Sequence, residues 1–93
     1  MPNIRVNAYV YGSVQGVFFR AFTRERAIQL GLTGYVRNLE DGRVEIVVEG
    51  NDTAIDKLVE QLRKGPPQAE VSKVELQPEL FRGEFKSFEV RYL

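Results

Sequence analysis

The chain of 93 residues contains no cysteine and no histidine. Without cysteine there is no disulfide, no cysteine nucleophile and no thiolate metal site, and the redox compartment is left open. Without histidine the chain lacks the usual general base near neutral pH and the commonest imidazole metal ligand. Carboxylates remain as hard-cation ligands, but Glu40-Asp41 and the Asp52/Asp56 pair occupy turn-like and helix-start positions that explain them structurally. No metal and no cofactor are expected. There is no excess of either sign of charge, since 13 Lys and Arg balance 13 Asp and Glu. No overall field therefore draws the protein to nucleic acid or to a membrane surface. The start, Met-Pro-Asn-Ile-Arg-Val, lacks the apolar stretch of a signal peptide, and no run reaches membrane-spanning length. A cytoplasmic location is the expectation. Repeats of solenoid period and low-complexity segments are absent too.

What is present is enough for one core. Hydrophobic residues make up 43% of the chain, with six Phe and four Tyr, which suits a single packed domain over residues 1–93. Ile4, Val6, Ala8 and Val10 alternate with Arg5, Asn7, Tyr9 and Tyr11, the period of a strand with one buried face. Arg20 to Leu30 reads as a helix that offers Phe22, Ala27 and Leu30 to the core and stops at Gly31. Leu32 to Leu39 and Arg43 to Glu49 flank an Asp41-Gly42 hairpin turn. Ile55, Leu58, Val59 and Leu62 mark a second helix, capped by Asn51 or Asp52 and ended by Gly65-Pro66-Pro67. Val71 to Leu76 and Lys86 to Tyr92 read as two further strands, joined by a loop from Gln77 to Glu84.

The order is β-α-β-β-α-β plus a C-terminal strand. Split strand-helix-strand units place two helices on one face of an antiparallel sheet, an α+β ferredoxin-like sandwich. Right-handed crossovers give the first four strands the order 4-1-3-2, with the first strand central. The pattern does not place the fifth.

Between the first strand and first helix lies Gly12-Ser13-Val14-Gln15-Gly16-Val17-Phe18-Phe19-Arg20. Glycines allow backbone N–H groups to converge, and the following helix adds orphan donors and the positive end of its dipole, so the segment is built like an anion cradle. An arginine in the first turn of a helix opposes that dipole, by roughly 0.3 to 1 kcal/mol when exposed. Arg20 is better explained by an anion bound beside it. Gln15 suits holding the loop by hydrogen bonding, Phe18, Phe19 and Phe22 suit packing, and Arg37 is the accessory cation if there is one.

This loop closely resembles the first signature of the acylphosphatase family, G-x-V-Q-G-V-x-[FY]-R. The segment from Gly34-Tyr35-Val36-Arg37-Asn38 through Asp41-Gly42 to Gly50 resembles the second. The Gly65-Pro66-Pro67 stop and the closing Phe88-Glu89-Val90 are also similar, so the resemblance covers essentially the whole chain. It implies a small ferredoxin-like hydrolase that cleaves carboxyl-phosphate bonds without metal or cofactor. It further implies that Arg20 and the loop Gln15, Gly16, Val17, Phe18, Phe19 and Arg20 bind phosphate, and that Asn38 positions the attacking water. Ser13 stands where relatives often carry a basic residue, and Phe18 where many carry a smaller one. The implied partners are a small-molecule acyl phosphate and inorganic phosphate, as product and competitive inhibitor, with no nucleic acid, no membrane and a monomeric state.

The chemistry is consistent with those residue types. Phosphoryl transfer passes through a loose transition state, so positioning and charge stabilisation carry most of the catalysis. Arginine stays protonated and grips two phosphate oxygens. Asparagine orients a water but is no ordinary base. A carboxylate leaving group, with a pKa of about 4, departs unprotonated, which suits an acyl phosphate better than a phosphate monoester in a chain with no obvious acid. Two alternatives stand on the same fold: a non-catalytic phosphate- or small-ligand-binding domain, and an RNA-binding module using Tyr9, Tyr11 and Tyr35. Against the latter, the RNP1 pattern is missing.

Overall fold

Alternation in the first strand has the consequence expected of it. In the computed structural model, which describes residues 2–92, Val6, Ala8 and Val10 of β1 (Asn3–Ser13) face the helices and are buried. β1 pairs antiparallel with β3 (Val44–Asn51) on one side and with β4 (Glu70–Glu79) on the other. β3 in turn pairs with β2 (Thr33–Asn38), so the order of these four strands is 4-1-3-2, as the crossover rule requires.

The fifth strand, β5 (Phe88–Arg91), lies beside β2 and runs parallel to it, giving the full order β4-β1-β3-β2-β5. The sheet is therefore mixed rather than wholly antiparallel. β4 also extends three residues beyond Leu76, through Gln77, Pro78 and Glu79, into what reads as loop in the sequence. Its position explains this: a proline that cannot donate to a ladder is tolerated on an edge strand.

Helices α1 (Phe19–Gln29) and α2 (Asp52–Lys64) cover one face. Asn51 caps α2, its Oδ1 accepting from the N–H groups of Thr53 at 2.9 Å and Ala54 at 3.3 Å. Ile55, Leu58, Val59 and Leu62 form its buried stripe. The stripe of α1 is Phe19, Thr23 and Ala27, with Phe22 and Leu30 only partly buried. Thr23 enters the core because its hydroxyl donates to the Phe19 carbonyl at 2.9 Å, a bond within the helix that hides the polar atom. No helix among the described residues is long and apolar enough to cross a membrane.

The other sheet face is charged. Arg5, at the start of β1, meets Glu49 (3.3 Å), Glu79 (2.8 Å) and Glu84. Glu49 is 1% exposed, and its Oε2 also accepts from the N–H groups of Arg82 and Gly83. Phe85 packs edge-on to Tyr35 and lies under the Arg5 guanidinium. Residues 82–85 are thereby fastened across the open face.

Burial alone would raise the pKa of the Glu49 carboxyl, but the two backbone donors and Arg5 outweigh it and hold the value below the ordinary carboxylate range. The stabilisation is full above the unfolded-state pKa and is lost as pH falls through the lower, folded-state one. Urea midpoints should therefore decline between about pH 6 and about pH 3, and Glu49→Gln should flatten that decline while costing about 2 kcal/mol at neutral pH. An unchanged slope in the variant would show that other carboxylates carry the acid sensitivity.

Candidate functional site

The loop after β1 is held at both ends by apolar burial. Val14 is 1% and Phe19 2% exposed, both within the main core, and Val17 packs against it from the surface. Between these anchors the backbone is left-handed at Gly16 (φ 75°) and again at Phe18 (φ 63°, ψ 22°). Phe18 is the one non-glycine residue with positive φ among those described, a conformation costing about 1 to 2 kcal/mol for an L-residue. The chain adopts it because the turn from Gly16 into α1 must deliver Phe19 to the core, and the Phe18 ring is consequently turned out, 78% exposed. The expectation of a packing role therefore holds for Phe19 and in part for Phe22, but not for Phe18.

The two glycines differ in purpose. At Gly12 (φ 125°) a Cβ would strike the Glu70 carbonyl of β4, where the β1–β4 register shifts, so the position answers to the sheet. At Gly16 a Cβ would meet nothing within 4 Å, so conformation alone selects glycine there.

Phe18 is also the N-cap of α1, and its side chain makes no capping bond. The first intrahelical bond runs from the Phe22 N–H to the Phe18 carbonyl at 2.9 Å, so the preceding N–H groups of the first turn have no intrahelical acceptor. No acidic residue sits in that turn. Arg20 does, and its guanidinium lies 4.8 Å from the centroid of the Tyr92 ring, within cation–π range. Among the described residues no carboxylate pairs with Arg20.

Asn38 arrives from the opposite side. It ends β2 on the helix-facing side of the sheet, and its buried Oδ1 makes no hydrogen bond within the protein. The hairpin behind it is closed by the Leu39 N–H donating to Arg43 (2.9 Å) and the Gly42 N–H donating to Leu39 (3.2 Å). Gln15 then joins the two halves. Its Nε2 donates to the carbonyls of Leu39 (2.8 Å) and Arg43 (3.0 Å), tying the glycine loop to the hairpin that presents Asn38.

These parts enclose a cavity of about 300 Å³ lined by Val14, Gly16, Phe18, Phe19, Arg20, Ala21, Asn38, Val90 and Tyr92. Arg20, Asn38 and the loop thus meet at one hollow. Arg37 does not join them. One residue from Asn38 on a strand, it points to the other face, where its Nε meets Glu45 Oε1 at 2.6 Å and that bond raises its pKa. Besides Ala21, next to Arg20, the lining residues that the sequence pattern does not reveal are Val90 and Tyr92. Alternation puts them on one face of their strand, but only the pairing of β5 with β2 brings that face to Asn38.

A family model described as Acylphosphatase matches residues 6–90. The chain belongs to the acylphosphatase family. An acylphosphatase of Rubrobacter xylanophilus is 56% identical over 94% of this chain and 79% of its own. One from Acaryochloris marina is 54% identical over 97% of both chains. The solved acylphosphatase of Coxiella burnetii superposes with a TM-score of 0.91 at 43% identity, covering 96% of this chain and 93% of that one. The family's ferredoxin-like fold is therefore present, with the glycine loop and the Asn38 hairpin on two sides of the cavity.

The contrast between the neighbouring phenylalanines gives a direct check on the loop. Phe18→Gly should stay within about 0.5 kcal/mol of the native stability or exceed it, because glycine removes the left-handed cost and little burial is lost. Phe19→Ala should cost about 3 to 5 kcal/mol. Equal losses in a denaturant titration would mean that the Phe18 ring is packed after all.

Proposed function

We propose that the cavity holds the phosphoryl group of an acyl phosphate between Arg20 and the backbone of residues 15–20, with Asn38 orienting the attacking water. Membership of the acylphosphatase family makes the chain a hydrolase of the carboxyl-phosphate bond. The observation that carries the assignment of residues is that Arg20, Asn38 and the uncapped start of α1 meet at one cavity.

Each group has one task. The guanidinium offers a fixed fork of donors to two phosphoryl oxygens, and N–H groups of residues 15–20 serve the third. Stacking on Tyr92 limits the swing of the arginine before substrate arrives. The Asn38 Oδ1 accepts a hydrogen bond from water and so directs a lone pair at phosphorus. As the P–O bond to water forms, the P–O bond to the acyl group breaks, and its electron pair leaves on the carboxylate. The water's proton passes to a phosphoryl oxygen, giving inorganic phosphate. No side chain need act as acid or base, in keeping with a chain that has no histidine.

The open sheet face does not favour RNA. Its cations Arg5, Arg37, Arg43, Lys73 and Arg91 each lie against a carboxylate. The Tyr9 and Tyr11 hydroxyls donate to Glu45 and Glu75, and Arg43 and Lys73 lie over the Tyr11 ring. A base would have to displace these partners in order to stack.

Turnover of benzoyl phosphate in the presence of a chelator tests the reading. Arg20→Ala should lose at least about 10²-fold in rate, and a near-native rate would remove Arg20 from the mechanism. Asn38→Ala should lose turnover yet keep inhibition by inorganic phosphate, whereas loss of inhibition would move Asn38 into the anion site. An alkyl phosphate should be hydrolysed very poorly, and comparable rates on ester and anhydride would overturn the leaving-group argument.

A further inference from the structure

β5 ends the sheet beside β2, and among the described residues nothing pairs with its other edge. The Ser87 carbonyl accepts from the Gly34 N–H at 3.0 Å, so it is turned toward β2. Backbone groups of successive strand residues point to opposite edges. Glu89 and Arg91 therefore follow Ser87 toward β2, and the N–H and C=O groups of Phe88, Val90 and Tyr92 are left facing outward. The side chains alternate as well. Phe88 and Val90 lie on the helix side, buried and half-buried, while Glu89 and Arg91 lie on the open face, 3.6 Å apart, with Arg91 over the Tyr35 ring. Beneath α1, along this free edge, runs an open groove of about 790 Å³ whose lining includes Arg24, Ile28, Phe88 and Val90. Ile28 is 49% exposed there, and Tyr92, next after β5, is 75% exposed.

We propose that this edge pairs with the same edge of a second copy of the chain, antiparallel about a two-fold axis through Val90. An unpaired edge is a ready template for such a contact, and the two alternations fix its register. The outward backbone groups make hydrogen-bonded pairs of Val90 with Val90, and of Phe88 with Tyr92, between the two copies. The pairs between these, Glu89 with Arg91 on either side of the axis, are of the non-hydrogen-bonded kind, in which side chains lie closest. Every facing pair is then compatible, with opposite charges on the open face and apolar or aromatic groups on the helix side. An axis through Phe88 instead would set Glu89 against Ser87 and lose both charge pairs. Tyr92 of the second copy, arriving opposite Phe88, enters the groove beside Ile28 and covers ring area that the single chain leaves in water. Val90 and Tyr92 also line the cavity, so the pairing braces that wall in both copies. The strand is short, and the exposed Arg24 side chains of the two copies fall on the same side of the joined sheet. The association is accordingly weak and reversible rather than permanent.

Sedimentation velocity over protein concentrations from about 10 µM to about 1 mM tests the pairing, and the native chain should pass from monomer toward dimer across that range. Glu89→Arg and Arg91→Glu should each weaken the dimer by at least about 10-fold, since each sets like charges opposite one another on both sides of the axis. An equimolar mixture of the two variants should associate about as well as the native chain, because every reversed charge then faces its opposite in the other variant. The double exchange Glu89→Arg/Arg91→Glu within one chain should restore association in the same way, and native-like circular dichroism of each variant shows that a loss of pairing is not a loss of fold. A native chain that stays monomeric throughout overturns the proposal. It is equally overturned by a native dimer that both single variants keep, or by a mixture and a double exchange that associate no better than the single variants alone.

Discussion

Burial of Val14 and Phe19 governs the rest of the molecule's functional end. Both side chains belong to the core, yet the four residues between them must leave a central strand, reverse and enter a helix. A span that short permits few backbone paths. The one taken uses left-handed turns at Gly16 and Phe18. The hydrophobic effect, which has no direction of its own, thereby fixes the course of the loop backbone. A loop held in this way is ordered when the domain folds, so a ligand that bound there need not supply its ordering entropy.

Gln15 extends that rigidity across the cavity. A side-chain amide that gives both protons to hairpin carbonyls makes the position of Asn38 depend on the loop that carries Arg20. The two signature segments are distant in sequence, and their relation is fixed by two hydrogen bonds and by the β1–β3–β2 ladder. Displacements of about 1 Å between a positioned nucleophile and its target are enough to cost large factors in rate. The glutamine is therefore as much a part of the site's geometry as the groups that would touch substrate.

Much of this architecture is legible in the residues because local and tertiary preferences agree there. The alternation of β1, the Asp41-Gly42 turn and the apolar stripe of α2 each state one face and one period, and the structure follows them. The misreadings occur where a residue satisfies two demands. Pro78 appears to break a strand but lies on an edge where its missing donor is not needed. Phe18 appears to be core and is turned outward by the backbone. The position of β5 depends on packing between α1 and the edge of β2, a relation that no local pattern encodes. Arg20 stands out in the sequence by its place after the glycine loop and Asn38 only through the family resemblance, whereas neither route points to Val90 and Tyr92.

The ion cluster around Glu49 gains a different meaning from the path of the chain. From the end of β4, residues 82–85 cross the open face at the end of the sheet remote from the cavity, held there by Glu49 and Arg5 and by Phe85 against Tyr35. Only then does β5 run back beside β2 to set Val90 and Tyr92 in the cavity wall. One wall of the site is thus the free end of a strap whose buckle lies on the opposite face. β5 is four residues long and has a neighbour on one side only, so the buckle and not the strand fixes where that wall begins. A carboxylate far from the cavity consequently helps to determine the cavity's shape.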